Sequence, residues 1–304
     1  MLWFITALLS SFLSASSAIV QKKVLFKREP LEFSFILALF NLVFSIPFFF
    51  FIDFSVINSF SLFVLLIKSL IGVFAFLSVM TALKNLQISS ALPLLALTPG
   101  FVAVFAYVFL GEALSLFEVT GLVLLTVGTY ILESKNLKEF IYPFALFLRS
   151  KYHRYILAAL LLFTASSILD KLLLVKLSFT PISLTAFQHL YFAVIFLIIF
   201  LTVRIFRKSN NENKYKSVLD FSPLIKDKSD FGWIMLISLM TIGYRFTQVA
   251  AISMGSVALT LAVKRTSVLW ATIIGGKLFK DANLLKKTVA VIFIVIGAVL
   301  IFQE

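Results

Sequence analysis

Among the charged side chains that fall within long apolar runs of this sequence, five stand out: Lys264 and Arg265 side by side, Arg245, and the neighbours Asp170 and Lys171. If those runs lie in hydrocarbon, a central charge costs roughly 2.5–3.5 kcal/mol on insertion scales and is a functional candidate by default. Two adjacent cations would cost about 5–7 kcal/mol without compensation. At helical spacing Ser256, Thr260, Lys264 and Ser267 share one polar stripe, while Arg265 lies on a neighbouring face beside Leu261 and Leu269. The pair therefore lines a wide cavity or spans a seam between helices. Arginine grips a phosphate or carboxylate through two parallel hydrogen bonds and lysine supplies a point charge, so the functional reading is an anion socket. The structural alternative is an ion pair with an acid elsewhere in the chain.

Other polar residues fall at helical spacing nearby. Tyr244 and Gln248 share a face, with Arg245 between them, and Thr185, Gln188 and His189 group on another segment. These join the substrate-binding candidates, although a lone intramembrane histidine also serves as an ordinary packing residue. Asp170 could titrate in proton coupling, or could neutralise Lys171 or a cation of the 264–265 pair. Ser10, Ser14, Ser17 and Gln21 form a stripe that reads as close helix packing or, alternatively, as ligand contact. Pro93 and Pro99 interrupt backbone hydrogen bonding and are hinge candidates. Glu112 is expected to cap a following helix or to pair with a loop cation.

The elements that must position these groups are long and apolar. Hydrophobic residues make up 61% of 304 positions and charged residues 13%, against about a quarter charged in an ordinary soluble chain. Mean hydropathy is +1.06. Ten apolar segments fall near 2–21, 33–52, 62–83, 88–109, 116–132, 155–175, 183–203, 231–251, 256–276 and 286–302. Runs near ~20 residues match the length that crosses about 30 Å of hydrocarbon. They are continuously apolar instead of alternating, so helices are predicted and not barrel strands. The first run lacks a basic leader and reads as a retained helix.

Net charge is +13. In a soluble protein this would suggest nucleic acid. Here Lys and Arg concentrate in the loops after the odd-numbered helices, above all in 133–154 and 204–230, with a short interfacial stretch at Phe140–Leu148. The positive-inside rule then puts both termini away from the cytoplasm of a cell or inner membrane. The absence of cysteine removes thiol chemistry and disulfides. No phosphate-binding G-x-x-x-x-G-K-[ST] loop, H-E-x-x-H or G-x-S-x-G motif occurs, so no ATP motor, metalloprotease site or elbow nucleophile is expected. Neither a metal nor a cofactor is expected, and the chain does not read as an enzyme.

Two local patterns repeat. Ser89-Ser90-Ala91-Leu92-Pro93-Leu94 opens helix 4 as Ser256-Val257-Ala258-Leu259-Thr260-Leu261 opens helix 9, and Ser14–Gln21 resembles Thr164–Lys171. Units of five helices are odd in number, so a second unit must lie upside down relative to the first. The domains expected are 1–133, a basic linker 134–154, and 155–304.

The stretch Pro93 to Pro99, followed by Leu110-Gly111-Glu112-Ala113-Leu114-Ser115 and then Gly121 and Gly128, resembles the end of an EamA-type unit of the drug/metabolite transporter superfamily. The second half departs from that pattern, with Phe279-Lys280-Asp281 where Gly-Glu would stand and no proline in helix 9. The resemblance implies ten helices in an inverted five-plus-five repeat and transport of small metabolites. Many relatives have cytoplasmic termini, opposite to the charge count. Helix 1 carries no carboxylate, unlike small multidrug exporters, and the interior is net positive, so organic cations should be repelled. The expectation is an all-α secondary transporter for a small anionic or zwitterionic metabolite in a lipid bilayer, with a coupling proton or counter-substrate. The alternatives are an amino-acid or drug exporter and a non-transporting lipid-binding or scaffold protein.

Overall fold

The computed structural model describes residues 1–25, 29–85, 95–133, 151–209, 228–267, 269–270 and 284–303. Among these residues the chain is helical without strands. Ten α-helices occur among the described residues: α1 Leu2–Leu25, α2 Pro30–Ser45, α3 Ser59–Asn85, α4 Thr98–Leu110, α5 Leu116–Glu133, α6 Lys151–Lys176, α7 Pro181–Ser209, α8 Lys228–Met254, α9 Val257–Arg265 and α10 Leu284–Phe302. Six of them, α1, α2 (with its 3₁₀ extension to Phe51), α3, α6, α7 and α8, are long and apolar enough to cross a membrane. The helical stretches 98–110, 116–132 and 288–302 are apolar but shorter, and α9 has nine residues. The linker 134–150 with Phe140–Leu148, the repeat residues Ser89–Leu94, Pro93 and Phe279–Asp281 lie outside the described residues.

Local chemistry sets the helix ends. Pro30 opens α2, where its missing N–H costs nothing. After α4 the chain turns on Gly111 at φ +70°, and the N–H of Glu112 donates back to the carbonyl of Ala106, a left-handed closure that glycine accepts without strain. Ser115 and Glu118 then make a reciprocal cap for α5: the Ser115 N–H donates to Glu118 Oε2 at 2.8 Å and the Glu118 N–H to Ser115 Oγ at 3.2 Å. Glu118 thus does the work that was expected of Glu112. Outside the helices, Asp53 accepts from the hydroxyl and N–H of Ser55, which lowers its carboxyl pKa.

The packing is selective. α1 lies along α8 and α6 along α3; α2 contacts α7 and α8, α3 contacts α7, α4 contacts α6 and α9, and α1 contacts α9. The α5–α10 pair is drawn together by glycine. A Cβ on Gly121 would come within 2.7 Å of the Gly297 carbonyl oxygen, and one on Gly297 within 2.6 Å of the Gly121 oxygen. One on Gly128 would meet the Ala290 oxygen at 2.8 Å. Small residues let helix backbones approach this closely, the usual basis of helix association where lipid removes the hydrophobic drive. The largest apolar core joins α1, α2, α3, α6, α7 and α8 through Phe33, Phe35, Val73, Ile156, Phe196 and Ile237.

Candidate functional site

At the centre of the charged residues is Asp170, on α6 and 1% exposed. Arg245 Nη2 of α8 donates to Asp170 Oδ1 and Oδ2, each at 2.7 Å. Lys68 Nζ of α3 pairs with Asp170 Oδ1 at 3.0 Å. The Gln188 amide oxygen of α7 accepts from Lys68, and from Arg245 Nε and Nη2 at 3.0 and 2.7 Å. Four helices therefore meet at one carboxylate. An isolated buried carboxylate would be very costly in this setting, and two cations plus an amide oxygen that holds those cations in place satisfy it. Asp170 is thus ion-paired in this structure. Its partners are Arg245 and Lys68, not Lys171 or the 264–265 pair.

Lys68 was not singled out by the sequence. It is 1% exposed and nine residues inside α3. Asp170, Gln188 and Arg245 lie six to nine residues from the nearer end of their helices, a depth of about 9–14 Å at 1.5 Å per residue.

Lys264 and Arg265 occupy the last turn of α9, not its middle. The chain turns at Thr266, whose N–H bonds back to Val263 and whose carbonyl accepts from the N–H groups of Leu269 and Trp270. This correction has a physical logic: the free carbonyls at a helix C-terminus carry a partial negative charge that favours nearby cations. The two side chains diverge across a seam, as one reading of their spacing allowed. Lys264 Nζ donates to Gln248 Oε1 at 2.5 Å and stands 4.7 Å from the centre of the Tyr244 ring, both on α8. Arg265 Nη2 donates to Thr98 Oγ1 of α4 at 3.1 Å. Among the described residues no carboxylate lies within ion-pairing distance of Lys264.

The rest of the expected stripe divides. Ser256 caps α9. Thr260 is fully buried with no hydrogen-bond partner for its hydroxyl among the described residues. Ser267 follows the turn, beyond α9. His189 is 3% exposed and neither ring nitrogen has a partner among the described residues. Pro99 sits in the first turn of α4, just after a turn at Leu97, so the interruption precedes it. Ser10 donates to the Tyr244 carbonyl at 2.7 Å and Ser11 shares a 2.7 Å hydrogen bond with Thr266, so α1 packs tightly on α8 and on the turn after α9.

Lys171 turns away from Asp170. Its Nζ donates to the carbonyls of Ile252 (2.9 Å) and Gly255 (2.6 Å) and lies 3.5 Å from Glu112 Oε1. Glu112 caps α9, not α5: its Oε2 accepts from Ser256 Oγ at 3.1 Å and from the Val257 N–H at 3.2 Å. At the opposite helix ends, a cavity of about 300 Å³ is lined by Glu29, Glu32, Thr81, Lys84, Asn85 and Arg204 with apolar neighbours. It does not include the α9 cations, where a chamber was expected.

The model of the EamA-like transporter family matches residues 1–134. No curated protein matches the sequence. A protein known from its crystal structure shares the fold at a TM-score of 0.69 and 16% identity, over 98% of this chain and 94% of that one. The six long apolar helices are those of an integral multi-pass membrane protein. The matched residues 1–134, somewhat under half of the chain, contain the Pro93–Pro99 and Leu110–Ser115 motifs on which its resemblance to the EamA-like transporter family rests, and the match is consistent with the drug/metabolite transporter superfamily.

Proposed function

We propose that the protein is a secondary transporter that moves a small anionic or zwitterionic metabolite by alternating access between two inverted halves, 1–133 and 155–304. The observation that carries the substrate reading is Lys264, held by Gln248 and the face of Tyr244 without a carboxylate among the described residues. Lys68 and Arg245 already pair with Asp170, which leaves Lys264 on Gln248 and the Tyr244 ring. A substrate carboxylate or phosphate would supply the missing negative charge.

The helix pairing supports the two-half reading. If each helix is matched with the one five places later, the α1–α8 contact becomes α6–α3, α2–α8 becomes α7–α3, and α4–α6 becomes α9–α1; all six contacts are present. The α2–α7, α4–α9 and α5–α10 contacts map onto themselves. With the basic loops on the cytoplasmic side, both termini lie on the far side.

Uptake by proteoliposomes, preceded by a thermal-shift screen against phosphates, carboxylates, amino acids and quaternary amines, tests the proposal. Binding to the folded state raises the unfolding midpoint. Stabilisation by anions that is lost in Lys264→Ala is expected. Stabilisation by quaternary amines alone would overturn the substrate reading.

A further inference from the structure

One cluster is not used by that reading, and it lies at the membrane face where α6, α8 and α9 have their ends. Glu112 belongs to the connection after α4, in the first half; Lys171, Ser256 and Val257 belong to the second. One oxygen of Glu112 accepts from the start of α9 while the other faces Lys171 at 3.5 Å, and Lys171 also holds the last carbonyls of α8. A single ion pair therefore fastens both sides of the α8–α9 turn to α6 and to the other half of the molecule. The side chains are 17% exposed for Glu112 and 15% for Lys171, although the Glu112 Oε1 that faces Lys171 is itself buried, so water takes over its place only once the pair parts. At the opposite helix ends, residues of α2 and α3 and of α7 border an open cavity of about 300 Å³.

We infer that Glu112 and Lys171 form the latch that closes the transport path at this face, and that its rupture is the step that exposes the α9 cations there. The inference rests on the alternating-access reading above. Like the Lys68–Asp170 pair it crosses between halves, but where those side chains are 1% and 2% exposed, this one lies at helix ends with both side chains partly exposed. It also holds helix ends by their terminal N–H and carbonyl groups, which can be given over to solvent without unwinding a helix.

The absence of native cysteine makes single-cysteine reporters clean. Thr260→Cys, on the buried stripe of α9, reports opening at the latched face. Thr81→Cys, in the lining of the open cavity, reports opening at the other. Each is placed in the native background and in Glu112→Gln, Lys171→Met and the double variant, in nanodiscs with a charged methanethiosulfonate reagent. The latch predicts roughly a five- to tenfold faster reaction at position 260, together with slower reaction at 81. The double variant should match the stronger single one, because both remove one interaction. An unchanged rate at 260, faster reaction at both positions, or additive effects would overturn the inference. Loss of substrate uptake in Lys264→Ala is a separate readout, so failure of the substrate assignment and failure of the latch are distinguishable.

Discussion

Arg265 and Thr98 touch at 3.1 Å and are 167 residues apart in sequence, the same separation that relates Ser256 to Ser89 at the heads of the like-patterned segments. By that count they are the same position in the two halves. On the inverted-repeat reading proposed above, equivalent positions meet only at the axis relating the halves, which is where such a repeat would put its substrate site. Lys264, the neighbouring residue, reaches the other way to α8.

Removing either cation should therefore abolish transport without unfolding the protein. Lys264→Ala and Arg265→Ala are expected to lower uptake at least ~10-fold, the scale of one lost charge-assisted contact. Gel filtration and thermal unfolding should remain near native. Normal uptake by both variants would eliminate the anion socket.

Asp170 should behave in the opposite way. Asp170→Asn leaves Lys68 and Arg245 buried against an amide that cannot neutralise them. Breaking one partner out of a buried charge network costs about 3–5 kcal/mol. The measurement is the thermal midpoint in detergent; a midpoint equal to the native one would show that the carboxylate is not the anchor described.

The α5–α10 seam gives a third expectation. A side chain at Gly121 or Gly297 meets carbonyl oxygens, which cannot swing aside. Gly121→Val and Gly297→Val should each destabilise by about 1–3 kcal/mol. Gly100→Ala, with open space where a Cβ would stand, is the control and should leave the midpoint unmoved.

Capping offers a smaller effect. Ser115→Ala removes the hydroxyl that receives the Glu118 N–H and should cost about 1 kcal/mol, read as a modest fall in the same midpoint.

Much of this was legible in the sequence because hydropathy and residue type act locally. The helices from 2, 116 and 231 onward start near the expected positions, and Tyr244 and Gln248 do share the face that meets Lys264. What the sequence hid depends on which helices become neighbours. Lys68 is a lone lysine in an apolar segment, and only the placing of α6 and α8 against α3 gives it a partner. The pairing of adjacent Asp170 and Lys171 looked natural, but successive helical residues point about 100° apart and find partners on different helices. Glu112 was assigned to the helix that follows it in sequence, and in space it serves α9. The break at Thr266 carried no proline or glycine to mark it.

Where Gly121 and Gly297 face each other, bare peptide planes rest on bare peptide planes. With Leu125, Ile294 and Ile301 packed beside these backbone contacts, sliding would drive carbonyl into carbonyl while rolling keeps the same atoms in register. Any swing of one half against the other is then geared to a fulcrum at this seam, and the far ends of the bundle, where the levers are longest, travel most.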